Sequence, residues 1–313
     1  MKGEFGTGIG VPVETVRAGV LDVAYERYGD RQGWPVVLLH GFPYAPRCYD
    51  MVVGPLVESG ADVVVPYLRG YGPTRFVDER AVRSGQQAAL AHDLREFIDA
   101  LALDGPIVGG FDWGGRAACL VSALWPDRVA GLVTVDGYNV QNIAAAANPA
   151  VPEREAIYWY QYYLHGERGR RGLQQYRAEY AKLLWQQWSP RWPFSDETLM
   201  ATAESFDNPD FVDVVVHSYR HRYGLVDGDP SYQQTEELIA TEPVVTVPTV
   251  VLDTKHDGLG PRPVSGSHED HFTRLVAHRL VDGGHGLPQE NPDAFTEAIL
   301  LLRSYVLRAK VIG

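Results

Sequence analysis

An aspartate, Asp112, lies where a short apolar run gives way to a glycine-rich helical pattern, in the stretch GGFDWGG. Gly110 and Gly114, two residues to either side, leave room for a strained turn that presents a side chain. The amino end of a helix also favours negative charge. The pattern predicts a carboxylate nucleophile, although a plain helix cap would also use an aspartate here.

Two further segments contain groups that such a nucleophile needs. LLHGFP ends an earlier apolar run, and the backbone N–H groups of Phe42 and Trp113 are the predicted oxyanion-hole donors. His285, in DGGHGLP after the last apolar run, is the predicted general base, although a solvated loop histidine is the ordinary alternative. The order nucleophile, acid, histidine along the chain is typical of hydrolases with this turn.

Two aspartates are candidates for the acid that orients His285. Asp257 lies a few residues beyond a predicted strand, and Asp136 ends the strand that follows the nucleophile turn. Each also has an ordinary explanation as a turn residue near a glycine. The residues alone leave this choice open.

The type of nucleophile restricts the substrate. A carboxylate that attacked an ester would form a reactive anhydride, whereas it is a good nucleophile for a saturated carbon with a leaving group. Displacement would leave an alkyl ester on Asp112, and water activated by His285 would then attack that ester. We therefore expect an alkyl electrophile whose leaving group is either an epoxide oxygen or a halide.

The predicted elements that position these residues alternate along the chain. Short β-branched runs alternate with helical patterns, which predicts a mostly parallel central sheet flanked by helices. An antiparallel pair is expected within residues 13–28. The later strands are predicted at 35–40, 62–66, 106–111, 129–136, 249–253 and 278–282. Helices are predicted over 84–101, with Ser84 and Gln87 as a capping box, and from a cap at Asn291 through Leu307.

Residues 139–243 interrupt this alternation. The segment is rich in Trp, Tyr, Gln and Arg and has helical rather than strand patterning. We interpret it as an inserted helical cap domain, which divides the core into residues 1–138 and 244–313.

Several motifs together carry a family resemblance. HGFP, LRGYGPT from Leu68, DWGG at Asp112, the acid near Asp257 and GGH at Gly283 resemble the epoxide hydrolases of the α/β-hydrolase superfamily, and also the dehalogenases. The resemblance implies the α/β-hydrolase fold with a cap and hydrolysis of an epoxide to a vicinal diol. It also favours Asp257 over Asp136 as the acid.

The resemblance extends to the cap. Two cap tyrosines hold the epoxide oxygen in epoxide hydrolases, which implies these roles for Tyr160 and Tyr219. An aromatic stripe on a helix is more often packing than chemistry, and Tyr158, Tyr162 and Tyr163 compete with Tyr160. Cap aromatics such as Trp159 and Tyr163 are expected to make the substrate pocket apolar, and His40 and Gln161 are also expected to line it.

Two other functions remain open. A dehalogenase would use the same Asp112 and His285, but haloalkane dehalogenases usually have asparagine at the position of Phe42. Fluoroacetate dehalogenases resemble this chain through Arg116, yet their carboxylate clamp uses an arginine at the position of Trp113 and a histidine at that of Tyr160. Arg116 would then be a helix-surface residue or a structural ion pair. The third hypothesis is a non-catalytic ligand receptor.

Composition excludes some classes of partner. The chain has 313 residues and a formal net charge of -12, which disfavours nucleic acid and anionic membranes as partners. Two cysteines, no signal-peptide pattern and no long apolar run predict a cytoplasmic protein with buried thiols. We expect an apolar or aryl epoxide as substrate, no cofactor, no metal at His217 and His221 or at residues 268–271, and a monomer or homodimer.

Overall fold

The computed structural model describes residues 11–259 and 268–312, and a single mixed sheet is its central feature. The strands, in chain order, are β1 Val13–Ala18, β2 Leu21–Tyr28, β3 Trp34–Leu39, β4 Ala61–Pro66, β5 Arg75–Phe76, β6 Ile107–Gly110, β7 Gly131–Val135, β8 Thr249–Thr254 and β9 Leu275–Val281. Their spatial order is β1-β2-β4-β3-β6-β7-β8-β9, with β5 beside β2. Contacts of β2 with β1, β4 and β5 are antiparallel, and the pairs from β4 to β9 are parallel. The predicted fold class is confirmed.

The strands at the centre of the sheet are buried on both faces. All six residues of β4 and all six of β8 are buried, which explains their continuous apolar sequences. The sequence located these strands to within a few residues, but it missed the two-residue β5 and started β9 at 278 rather than at Leu275.

Helices cover the sheet and extend from it. They are α1 Asp50–Glu58, α2 Gln87–Ala100, α3 Asp112–Leu124, α4 Pro152–Ile157, α5 Trp159–His165, α6 Glu167–Gln175, α7 Arg177–Trp188, α8 Asp196–Ala203, α9 Phe211–His221, α10 Gln233–Ile239, α11 Leu287–Glu290 and α12 Pro292–Ile312. On one face of the sheet α2 packs against α3, and on the other α1 packs against α12. The side chain of Asn291 accepts the N–H of Ala294, so it caps α12 as predicted.

The predicted capping box at the start of α2 is wrong. The helix begins at Gln87, and its cap residue Gln86 makes no side-chain capping bond. Ser84 is instead buried and accepts the N–H of Gln86 in the preceding loop. The side chain of Gln87 bonds the backbone of Gln141, so tertiary contacts replace the local motif.

Helices α4 to α10 all lie between β7 and β8 in the chain, and the division into a core and a cap at residues 139 and 243 stays a prediction. They cover the loops at the carboxyl ends of the strands. The indole of Trp185 in α7 donates to the Pro43 carbonyl, and the ring of Trp188 packs edge-on against His285. The inserted helices therefore cover the edge of the sheet where the predicted catalytic residues lie.

Both cysteines, Cys48 and Cys119, are buried and unpaired, as predicted. Within the described residues, no helix combines the length and apolar character needed to cross a membrane.

Candidate active site

Asp112 occupies a strained turn between β6 and α3. Its φ is +50°, in the left-handed region that only short polar residues and glycine adopt readily. A Cβ on Gly114 would lie 2.1 Å from the Leu39 carbonyl oxygen, and one on Gly110 would lie 2.6 Å from the Gly114 carbonyl carbon. Gly114 is therefore needed for the close approach of this turn to β3, and Gly110 for the close approach of β6 to the first turn of α3.

The loop after β3 contacts the nucleophile directly. The N–H of Phe42 donates to Asp112 Oδ1 at 2.7 Å. A Cβ on Gly41 would lie 2.4 Å from the same oxygen, so the loop can approach only because residue 41 is glycine. Trp113 is the second residue of α3, where a backbone N–H has no carbonyl partner within the helix. Both predicted oxyanion donors thus adjoin Asp112.

His285 lies between two carboxylates. Its Nδ1 is 2.9 Å from Asp257 Oδ2, and its Nε2 is 3.6 Å from Asp112 Oδ2. The other oxygen of Asp257 accepts the N–H of Leu259 at 2.7 Å, which fixes the carboxylate. This arrangement brings together the nucleophile, base and preferred acid that the sequence predicted.

The alternative acid, Asp136, belongs to the same cluster. It follows β7 with a φ of +58°, and it accepts the N–H of Thr254 at 3.1 Å. Ligand atoms of Asp136, Asp257 and His285 all lie within 4.8 Å of one another. Asp257 makes the contact with Nδ1, and Asp136 lies close to Asp257.

Glu290 is a positioning residue that the sequence reasoning missed. Its two carboxylate oxygens accept the N–H groups of Gly284 and Gly286, at 2.7 and 2.9 Å, on either side of His285. The hydroxyl of Ser189 donates to it at 2.5 Å. Glu290 thus fixes the loop that carries the His285 ring. The signal available in the sequence was a carboxylate five residues after a loop histidine.

Charge and burial set the protonation of this network. Burial alone would raise the pKa of Asp112, but His285, Arg116 and the Phe42 N–H hold it below its ordinary value. Burial would lower the pKa of His285, yet Asp257 and Asp112 raise it well above its ordinary value. The same histidine lowers the pKa of Asp257 against the effect of burial. The two carboxylates therefore favour the protonated, imidazolium form of the ring.

A cavity of about 420 Å³ opens beside Asp112 and His285. Polar and charged groups form much of its wall, since its lining includes Arg116, Asn139, Gln141, Arg154, Tyr158, Tyr160, Gln161 and Arg222. The apolar pocket expected from the cap aromatics is therefore a wrong prediction for this cavity.

The two predicted cap tyrosines lie together above the nucleophile. Tyr160 on α5 lines the cavity, and its oxygen accepts a hydrogen bond from the Gln161 amide at 2.8 Å. Tyr219 on α9 is buried, with its ring 5.5 Å from that of Tyr160 and 5.9 Å from that of Trp113. Burial raises the pKa of both phenols, so both retain their protons near neutral pH.

The neighbouring aromatic residues have other contacts. Tyr162 donates to Glu155, and Tyr163 stacks on Tyr180 with the ring centroids 6.1 Å apart. The indole of Trp159 donates to Gln187 at 2.9 Å. Trp159 and Tyr163 therefore do not line the cavity that Asp112 and His285 share, because they pack within the cap, whereas Gln161 does line it.

His40 also lies outside the lining of this cavity, since its ring supports the backbone. Its Nε2 accepts the N–H of Leu68 at 3.2 Å, and its Nδ1 is 3.0 Å from the Gly41 carbonyl oxygen. Burial lowers its pKa to about 4, so the ring is neutral. His40 therefore connects the loop after β3 to the loop after β4.

A second group of titratable residues lies away from Asp112. Asp253 Oδ2 is 3.0 Å from His268 Nε2 and 2.8 Å from His278 Nε2, whereas the ring of His271 stacks on Tyr138. Imidazole nitrogen and carboxylate oxygen are atoms that can bind zinc, and here they lie at hydrogen-bond distances from one another. His217 and His221 stack with ring centroids 5.6 Å apart, and Nδ1 of His217 accepts a backbone N–H. The absence of a metal at these places stays a prediction.

The fold is that of a known family. The family model described as alpha/beta hydrolase fold matches residues 35–292, and the chain belongs to that family. The chain is similar to a candidate epoxide hydrolase from Klebsiella pneumoniae subsp. pneumoniae, whose crystal structure is known. The two sequences are 42% identical, the match covers 93% of this chain and 97% of that chain, and the TM-score is 0.90.

Curated relatives match over shorter stretches. Epoxide hydrolase B of Mycobacterium tuberculosis is 35% identical over 106 residues, which are 34% of this chain and 29% of that protein. A haloalkane dehalogenase of Mycobacterium marinum is 30% identical over 122 residues, 38% of this chain and 39% of that one. The matches thus span about a third of these relatives, and the predicted resemblance to both groups is confirmed.

Proposed function

We propose that this protein hydrolyses an epoxide to a vicinal diol through a covalent ester on Asp112. The observation that carries the proposal is the position of that carboxylate in the turn. Phe42 N–H holds Oδ1 at 2.7 Å, while Oδ2 faces His285 and the cavity. A lowered pKa keeps the group ionised and ready to attack.

In the first step, an oxygen of Asp112 attacks one oxirane carbon and the carbon–oxygen bond of the ring breaks. The released oxygen takes a proton from a phenol, for which Tyr160 and Tyr219 are the proposed donors. Gln161 donates to the oxygen of Tyr160, so the hydroxyl proton of that tyrosine is directed elsewhere. This arrangement favours an oxygen leaving group.

In the second step, water attacks the ester carbonyl while His285 takes its proton and the N–H groups of Phe42 and Trp113 hold the oxyanion. Ester formation has removed the charge of Asp112, one of the two charges that raise the pKa of His285. The pKa of the ring therefore falls once the ester forms, and the ring passes its extra proton through solvent to the tyrosinate and becomes a neutral base. His285 then gives the proton taken from water to the departing alcohol, and the proton left on Asp112 returns to His285, which restores the resting charges.

One observation favours a second function, a dehalogenase with the same nucleophile. The indole N–H of Trp113 is buried and has no hydrogen-bond partner among the described residues. Such a weak donor suits a halide. Against this function, the ring of Phe42 has no polar atom that could provide a second donor.

The test is to trap the ester in a His285→Gln variant. Incubation with styrene oxide, glycidate or glycidamide should add the mass of the epoxide to the peptide that contains Asp112, because the second step is blocked. His92→Gln, a histidine change away from the site, is the matched control and should accumulate no ester. If no epoxide adds mass while short haloalkanes release halide and alkylate Asp112, the protein is a dehalogenase.

A receptor would bind these epoxides without adding mass to any peptide. The cytoplasmic location and the monomeric or homodimeric state stay predictions.

A further inference from the structure

Two arginines line the cavity that contains the nucleophile. Arg116 is on α3, one helical turn after Asp112, and only 7% of it is exposed. Arg222 directly follows α9, three residues after Tyr219. Core and cap thus each place one guanidinium beside the reacting carboxylate.

Arg116 has unused hydrogen-bond donors. Its Nε donates to the Asn139 carbonyl at 3.1 Å, which fixes the plane of the guanidinium. Within the described residues its two terminal nitrogens make no hydrogen bond, and no carboxylate oxygen lies within 4.0 Å of it. Both the helix-surface position and the structural ion pair expected from the sequence are therefore wrong.

Arg222 is similarly incomplete. Its guanidinium lies over the ring of Tyr219, 4.8 Å from the centroid, and Nη1 makes a long 3.5 Å contact with Gln161 Oε1. Nη2 is buried and has no hydrogen-bond partner in the described part of the chain. A buried charged donor without a partner is costly unless a ligand supplies an acceptor.

The electrostatics support an anionic ligand. Burial and the neighbouring charge of Arg222 lower the pKa of Arg116 to about 10. The charge of Asp112 raises the pKa of Arg116, but the Asp112 carboxylate already faces His285. The third arginine of the cavity, Arg154, donates to the Leu259 carbonyl and forms no ion pair with a described carboxylate. Among the described residues, none of these three guanidinium groups has a carboxylate oxygen within 4.0 Å.

We propose that the substrate carries a carboxylate, which Arg116 and Arg222 bind while Asp112 attacks an adjoining oxirane carbon. The substrate class is then an epoxy acid instead of the apolar or aryl epoxide expected from the sequence. This inference rests on the proposed function for its reaction but not for its anion site. The reaction is the same ring opening and ester hydrolysis, with the carboxylate unchanged.

The kinetic test compares glycidate with glycidamide, which has nearly the same shape and no charge. The wild-type protein should turn over glycidate with a kcat/KM about 10- to 100-fold higher, as expected for charge-assisted hydrogen bonds. Arg222→Gln should remove most of this preference by raising KM for glycidate while kcat changes little. Arg220→Gln is the matched control, because Arg220 lies on the same turn of helix but pairs with Glu167.

A binding measurement keeps this inference separate from the proposed function. Cyclopropanecarboxylate has the shape and charge of glycidate but cannot be opened, and cyclopropanecarboxamide is its neutral counterpart. Calorimetry should show that the protein binds the carboxylate at least about 10-fold more tightly than the amide. This difference in affinity should be smaller in Arg222→Gln and in Arg116→Lys. Tight carboxylate binding without turnover of any epoxide would support the proposed anion site and contradict the proposed reaction.

Equal affinity for the two cyclopropanes, or equal kcat/KM for glycidate and glycidamide, would overturn the inference. An unchanged preference in Arg222→Gln would do the same. Arg222 is only partly buried, so its variant tests the proposal even if Arg116→Lys does not fold.

Discussion

The two sides of the cavity differ in how completely their polar groups are paired. On the side of the strand ends, His285 lies between Asp112 and Asp257, and Glu290 fixes the loop that carries it. In another part of the cavity wall, Arg116 and Arg222 have charged N–H groups for which the described residues supply no acceptor. The histidine on the strand-end side has a carboxylate oxygen within 4 Å of each ring nitrogen, whereas the two arginines have none within that distance among the described residues.

This difference suggests a division of labour. A network whose opposite charges lie together before substrate arrives can hold the reacting groups in fixed positions during the reaction. A wall with unpaired donors gains free energy only when a matching ligand binds. We therefore expect changes on the strand-end side to alter kcat, and changes on the arginine side to alter KM.

The largest effect should follow removal of the nucleophile. Asp112→Ala should lower turnover of every epoxide by about 10⁴-fold or more, because the covalent route is lost. Steady-state assays with glycidate and styrene oxide measure this, and thermal unfolding checks that the variant is folded. Residual activity within 100-fold of wild type would mean that water attacks the epoxide directly.

The next prediction separates the two acids on the strand-end side. Asp257→Asn should lower kcat by about 10³- to 10⁴-fold, since the amide would favour the wrong tautomer of His285. Asp136→Asn should lower it by less than about 10-fold, because Asp136 contacts Asp257 and not Nδ1. Single-turnover measurements should show the loss at Asp257 in ester hydrolysis and not in ester formation. A larger loss at Asp136 would reverse the assignment.

Much of the strand-end side could be predicted from the sequence. A glycine-flanked aspartate after an apolar run, a loop histidine and HGFP are each local patterns with one geometric solution. The choice between Asp136 and Asp257 could not be made this way, since both follow adjacent strands and the register that decides which of them reaches Nδ1 is tertiary.

The arginine side was harder to predict. Arg116 was recognised as a family feature, but only its burial and the absence of an ion pair to described residues distinguish a binding group from a surface charge. Arg222 carried one local signal, its position three residues after Tyr219, which places both on one helical face. The assignment of Trp159 and Tyr163 to the pocket was wrong for this cavity because aromatic composition does not say which face of a helix meets the site.

The cap tyrosines provide the next smaller effect. Tyr160→Phe and Tyr219→Phe should each slow ester formation from epoxides by about 10- to 100-fold, because each removes one donor to the opened oxygen. Ester hydrolysis should change much less, and rapid-quench measurement of both steps would reveal the difference. An equal loss in both steps would indicate that these hydroxyls only maintain the shape of the cap.

The smallest effect concerns stability and pH. The pKa of His285 is raised in the folded protein by Asp257 and Asp112, so the imidazolium stabilises the fold fully below its unfolded pKa of about 6.5. That stabilisation is lost as the pH rises from the unfolded pKa through the folded pKa, by about 1.4 kcal/mol for each pH interval of one between them. Urea unfolding between pH 6 and 10 should therefore show wild type losing more stability than His285→Gln.

Asp112→Ala provides an intermediate case, because it removes one of the two carboxylates that raise this pKa. Its loss of stability with rising pH should lie between those of wild type and His285→Gln. If all three proteins lose stability equally over this range, His285 is not a stabilised imidazolium. In that case His285 could act as a base in the second step without the loss of charge on Asp112. Ester formation and ester hydrolysis would then not be linked through that charge.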